Sequence, residues 1–140
     1  MPINILLVED EKNVKRVVQH ILVEIGGYRV ETASNGQEAL EILDNTDIDL
    51  IVSDLNMPIL DGYELLTTIR STPKYAQIPF VLMTANDVLF PMPIQGFLRK
   101  PFAVSELLEA IENALTISNK SVELGHIREA TQASVNHAYL

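Results

Sequence analysis

Five residues spread along the chain could share one piece of chemistry: Glu9, Asp10, Asp54, Thr84 and Lys100. Each stands just past a short apolar run. Residues 3–8 lead into the acidic pair, 50–52 towards Asp54, 80–83 into Thr84, and 97–98 towards Lys100. Runs of that kind read as strands covered on both faces, which is the pattern of a parallel sheet, and parallel strands end on one common edge. Ligands bind open α/β sheets in the crevice at that edge. Three carboxylates with few cations beside them repel, so either one is protonated or a divalent cation lies among them. Hard oxygen donors in that number favour magnesium, which also accepts phosphate oxygens. An aspartate carboxylate can attack phosphorus and form an aspartyl phosphate, provided the incoming charge is neutralised. Lys100 and a metal would neutralise it, and the Thr84 hydroxyl could donate to a phosphoryl oxygen.

Taken singly, each residue has a plainer reading. Asp10 suits the cap of a first helix. Thr84 suits a strand-end turn and Lys100 a solvated charge. Asp54 alone divides evenly between a strand end and a site. Only their joint placement at one edge favours shared chemistry. His20, His126 and His137 show no ligand spacing and receive no role.

The elements that must position these groups follow from the hydrophobic pattern. After the first strand, Val14, Val17, Val18, Ile21, Leu22 and Ile25 fall on one helical face, and Gly26-Gly27 ends it. Residues 28–32 read as a second strand. Asn35, with Glu38 three positions on, starts a helix that runs to about Asn45. Asp54 closes the third strand, and the turn signals Asn56, Pro58 and Asp61-Gly62 follow at once. Asp61 and Glu64 form another capping pair, with Leu65, Leu66 and Ile69 as the inner face of the next helix. Residues 80–83 make the fourth strand. A fourth helix should follow, but Pro91 and Pro93 leave room for barely one turn, so it is expected to be short or missing. Residues 97–100 form the last strand, and Val104, Leu107, Leu108, Ile111 and Leu115 mark the closing helix. The expected architecture is α/β: a doubly wound, five-stranded parallel sheet with helices on both faces.

Composition bounds what such a fold could serve. A chain of 140 residues holds one domain, here residues 1–117, with 118–140 as a tail, linker or loosely docked helix. Its 19 acidic and 10 basic residues give a formal charge of −9, which argues against nucleic-acid or membrane-surface partners and for cations. Without cysteine there is neither disulfide nor thiolate chemistry. The amino terminus has no basic leader pattern and no apolar run approaches the roughly 18 residues of a membrane span, so a cytoplasmic protein is expected.

The motifs Leu7-Val8-Glu9-Asp10, Ser53-Asp54-Leu55-Asn56-Met57-Pro58 with Asp61-Gly62, Met83-Thr84-Ala85, and Gly96-Phe97-Leu98-Arg99-Lys100-Pro101-Phe102 resemble those of the receiver domains of two-component response regulators. The resemblance covers about residues 3–117, and the set is far more specific than any one motif. It implies a flavodoxin-like fold. It makes Asp54 the phosphoacceptor, with Glu9, Asp10, Asp54 and the backbone carbonyl of Asn56 holding Mg2+. By the same resemblance Thr84 is the switch hydroxyl, Phe97 the switch aromatic, and Lys100 the phosphate-binding lysine, joined to Pro101 by a cis bond. The implied donor is a phosphohistidine on a sensor histidine kinase or phosphotransfer protein. The implied recipient is a downstream protein target or an output domain. Such a module assists its own phosphorylation and dephosphorylation and is not otherwise an enzyme.

One departure stands out. Thr84 and Lys100 are 16 positions apart, shorter than the family pattern by more than a helical turn. Val88, Leu89, Phe90, Met92 and Ile94 in that stretch would form either an apolar plug over the sheet or a partner-binding patch. A constitutive interaction domain that keeps the site as a relic is therefore the alternative reading. A magnesium-dependent phosphatase ranks well below both, because Asn56 occupies the position where such enzymes carry a second aspartate.

Overall fold

The computed structural model describes residues 2–86 and 92–121. Five strands, β1 (Asn4–Val8), β2 (Arg29–Ala33), β3 (Leu50–Asp54), β4 (Phe80–Thr84) and β5 (Gly96–Arg99), form one parallel sheet in the order β2-β1-β3-β4-β5. Among the described residues three helices link strands, α1 (Lys12–His20), continued by a π-helical turn Ile21–Ile25, α2 (Gly36–Asn45) and α3 (Gly62–Ser71), and α4 (Val104–Ser121) follows β5. The strand order reverses between β1 and β3, and that switch point opens a crevice at their carboxyl ends.

Side chains alternate across the sheet with period two, so each strand feeds two cores. Ile5, Leu7, Leu50, Val52, Val81, Met83 and Leu98 face α1 and α4. Leu6, Val8, Ile51, Phe80 and Leu82 face α2 and α3, together with Leu65, Leu66 and Ile69 of α3. Every residue of β3 and β4 is buried, in keeping with the apolar runs 50–52 and 80–83 that lead to the polar residues at their ends. Truncating any one of these leucines to alanine would cost about 2–5 kcal/mol.

Local chemistry sets the element ends. The Asn35 side chain accepts the Glu38 N–H at 3.0 Å, but Glu38 Oε1 reaches back to the Ser34 N–H at 2.8 Å, one residue beyond the cap. At α3 the capping box is complete, with Asp61 and Glu64 each accepting the other's N–H. Tyr75, in the α3–β4 connection, donates its hydroxyl to Asp44 of α2. The α1 face differs from its expected form: Val17 and Ile25 are 58% and 60% exposed, while Val18, Ile21 and Leu22 carry the packing. In the π turn the Gly26 N–H bonds to Ile21 O, five residues back, and the extra residue rotates Ile25 out of register with the core. Gly27, at φ 74°, then ends the turn in a conformation that favours glycine.

Among the described residues no helix lies between β4 and β5, in line with the expected loss. Met92 and Ile94 pack against the α2/α3-side core, which favours the plug for those two residues, while Val88, Leu89 and Phe90 lie outside the described residues. Arg70, near the end of α3, fastens this connection. Its guanidinium donates to Ala76 O (3.1 Å), Ile78 O (2.8 Å), Pro93 O (3.2 and 3.3 Å) and Gln95 Oε1 (2.9 Å). Gln95 in turn pairs with Phe80, its N–H donating to Phe80 O and its Oε1 accepting the Phe80 N–H, both at 2.8 Å. The closing helix α4 continues to Ser121, past the boundary expected at residue 117.

Candidate functional site

Glu9, Asp10, Asp54 and Lys100 come together at the carboxyl edge of the sheet, and Thr84 ends the neighbouring strand β4. Asp54 ends β3, buried to 8% exposure, with Oδ1 accepting the Leu55 N–H at 2.8 Å. Gly62 permits this compactness: a β-carbon there would lie 2.3 Å from Asp54 O, so only glycine lets α3 begin so close to the strand end. Glu9, one residue past β1, is 1% exposed. Its Oε1 accepts Lys100 Nζ at 2.6 Å, and its Oε2 accepts the Glu11 N–H at 3.2 Å. Lys100 Nζ also lies 3.3 Å from Asp54 Oδ2, so one ammonium bridges two carboxylates. Thr84 is fully buried, its Oγ1 accepting the Asn86 N–H at 3.2 Å and its carbonyl accepting the Lys100 N–H at 2.9 Å. The Lys100-Pro101 bond is cis.

Electrostatics follow from this crowding. Burial pushes the Glu9 carboxyl above its usual range and the charge of Asp54 adds to the rise, against the opposing pull of the Lys100 and Glu11 hydrogen bonds. For Lys100, burial works to lower the ammonium, but the hydrogen bond to Glu9 and the charges of Asp54 and Glu9 outweigh it, so its value is raised. Glu9, Asp10 and Asp54 each offer a carboxylate oxygen within 4.8 Å of the others. One lysine against three carboxylates leaves a net negative crevice lined by hard oxygens, and that donor set fits a divalent cation.

Asp10 is exposed and does not cap α1, where Glu11 holds the N-cap position without a side-chain bond. Asn56 is exposed on the β3–α3 loop. Phe97 is half-buried on the α2/α3 side while its neighbour Leu98 faces the other core, as strand alternation predicts. The same loop carries Ile59 at φ 70°, where the Leu60 N–H returns to Pro58 O at 2.7 Å in a tight γ-turn. That turn is strained for a β-branched residue.

An apolar cleft of about 630 Å3 that the sequence does not reveal lies beside Lys100, walled by Val14, Val17, Val18, Ile21, Phe102 and Val104. The outward tilt of Val17 is its signature. Nothing in a one-face helical pattern distinguishes that valine from a core one.

A family model described as the response regulator receiver domain matches residues 5–112. A probable transcriptional regulator, ycf29, of Porphyra purpurea is 37% identical over 121 residues, spanning 82% of this chain and 57% of its own length. The chain thus spans a little over half the length of that curated relative. Among solved structures, the chemotaxis response regulator CheY4 of Vibrio cholerae superposes with a TM-score of 0.73 at 30% identity, covering 82% of this chain and all of that one. The receiver domain of the sensor histidine kinase PA1611 from Pseudomonas aeruginosa, which has a magnesium ion coordinated in its active site cleft, gives a TM-score of 0.76 at 28% identity, covering 83% of this chain and 99% of that one.

Proposed function

This chain belongs to the response regulator receiver family, and on that premise we propose that Asp54 is its phosphoacceptor, taking a phosphoryl group from a phosphohistidine of a sensor histidine kinase or phosphotransfer protein. The observation that carries the assignment is Lys100 Nζ held 3.3 Å from Asp54 Oδ2 at the edge where buried Thr84 also ends its strand. The Asp54 carboxylate attacks phosphorus, the bond from phosphorus to the donor imidazole breaks, and an acyl phosphate remains on β3. Lys100 moves with the new phosphoryl oxygens, and the Thr84 hydroxyl donates to one of them. Glu9, Asp10, Asp54 and the Asn56 carbonyl would hold Mg2+, which supplies charge neutralisation to the transferring group. With both oxygens of Glu9 engaged by Lys100 and Glu11, that residue also anchors the lysine.

Phosphorylation adds about −1.5 to −2 charges and three acceptor oxygens. Thr84 and Lys100 closing on them favour one arrangement of the β4 and β5 ends, and Phe97 repacks with it. The recipient of that change is a protein target or an output domain. Residues 1–117 with the remainder of α4 form the receiver unit. Among the described residues no helix is long and apolar enough to cross a membrane, and we assign the protein to the cytoplasm, where such kinases present their phosphohistidines.

Intact mass measured after incubation with acetyl phosphate and MgCl2 tests this reading. One phosphoryl addition is expected, lost in Asp54→Asn and lost with chelator. A folded chain that gains no mass would instead favour the constitutive interaction domain.

A further inference from the structure

The loop after Asp54 is gripped from outside the site. Gly36, the first residue of α2, donates its N–H to Leu60 O at 2.8 Å. A β-carbon on Gly36 would lie 2.2 Å from Leu60 Cδ2 and 2.7 Å from Leu60 O. The side chain could rotate aside, but the carbonyl belongs to the backbone, and the loop itself would have to move. Residues 55–61 have little slack to absorb that. The Gly62 N–H closes onto Leu55 O at 2.8 Å, and the γ-turn over Ile59 is tied from Leu60 N–H to Pro58 O at 2.7 Å. Displacement at Leu60 therefore passes along the loop, and Asn56 lies within it.

We propose that Gly36 is a positioning residue for the cation site: its bare α-carbon seats the 55–61 loop at the height a small, rigidly coordinated ion requires, and so favours Mg2+ over Ca2+. This rests on the reading of Glu9, Asp10, Asp54 and the Asn56 carbonyl as a cation site. Magnesium demands near-ideal octahedral oxygens at about 2.0–2.1 Å, whereas calcium takes flexible shells at about 2.3–2.6 Å. A shift of several tenths of an ångström falls outside the first tolerance and inside the second. Alanine at position 36 carries no separate backbone penalty, since Gly36 does not occupy the left-handed region and alanine is the better helix former.

Titration calorimetry of the full chain with MgCl2 and with CaCl2, alongside thermal melting without metal, tests the proposal on Gly36→Ala and Leu60→Ala. Leu60→Ala removes the side chain by which the loop rests on Gly36, so the loop leaves its seat without a clash, and the variant remains informative if Gly36→Ala does not fold. In the folded variants Mg2+ affinity should fall about tenfold, the lower end of what outer-shell changes cost a metal site, while Ca2+ affinity changes far less. An equal loss for both ions, as general loosening would give, or no loss for either, overturns the inference and leaves the site standing. Failure of the unsubstituted chain to bind Mg2+ overturns the reading beneath it.

Discussion

Lys100→Met removes the ammonium that bridges Glu9 and Asp54, and the structure sets the size of the effect. Glu9 is almost wholly buried and, among the described residues, would keep the Glu11 N–H at 3.2 Å as its hydrogen-bond partner. Breaking a buried ion pair by deleting one partner costs about 3–5 kcal/mol if the remaining charge persists. Glu9 has an escape, because it can bind a proton. A carboxyl that ionises near 4.5 in the unfolded chain takes up a proton at pH 7 for about 3.4 kcal/mol, at about 1.4 kcal/mol per pH unit. That route caps the loss, and part of it is already present in the parent protein, whose Glu9 value burial has raised. The expected destabilisation is thus about 2–3 kcal/mol at pH 7 and about 1 kcal/mol at pH 5.5. The sign follows from linkage: a carboxyl raised in the folded state loses its stabilising contribution as pH climbs, and the variant raises it further. Urea unfolding in chelator at the two pH values reads this as a midpoint difference at constant m-value. Equal losses at both pH values, or a more stable variant, would refute the idea that Lys100 compensates a buried Glu9 charge.

Three further outcomes follow from the same geometry. Arg70→Met deletes three part-buried hydrogen bonds, to Ala76 O, Ile78 O and Gln95 Oε1, besides the exposed pair to Pro93 O. At about 1 kcal/mol each, less some relief from no longer desolvating a guanidinium, a loss of about 2 kcal/mol is expected by urea unfolding, and a change below about 0.5 kcal/mol would mark Arg70 as an ordinary surface arginine. Ile59→Gly should stabilise by about 0.5–1 kcal/mol, because relief of φ 70° in a β-branched residue exceeds the added unfolded-state entropy; a melting temperature at or below the parent's would contradict the strain. Lys100 and Tyr28 are both held above their ordinary values of 10.5 and 10.0, Tyr28 first by burial and then by Glu112. Their contribution is complete below pH 10.0 and is lost as pH rises through the folded values, so stability should fall in that alkaline window, and less steeply in Lys100→Met.

What the sequence reveals divides along a physical line. Glu9, Asp54, Thr84 and Lys100 are legible because each is a polar residue ending an apolar run, and parallel strands align such ends without further information. The caps at Asn35 and Asp61 are equally local. Arg70 is not, since its acceptors lie 6, 8, 23 and 25 residues away and only the folded connection brings them to one guanidinium. The π turn at Ile21–Ile25 also escapes, because a five-residue hydrogen bond leaves no mark in a pattern of apolar positions. That turn is why Ile25 reads as core and is not. Gly36 reads as a helix-start residue, and its meeting with Leu60 depends on where the β3–α3 loop passes.

The most direct test of the central claim is to trap the acyl phosphate and find its position. After incubation with acetyl phosphate and Mg2+, borohydride reduction converts a phosphorylated aspartate to homoserine, and peptide mass mapping locates it. Conversion at Asp54 alone, absent without metal, is the predicted result. Conversion at Asp10 or Asp61 with Asp54 intact, or no conversion in the folded chain, would contradict the assignment of Asp54 as the phosphoacceptor.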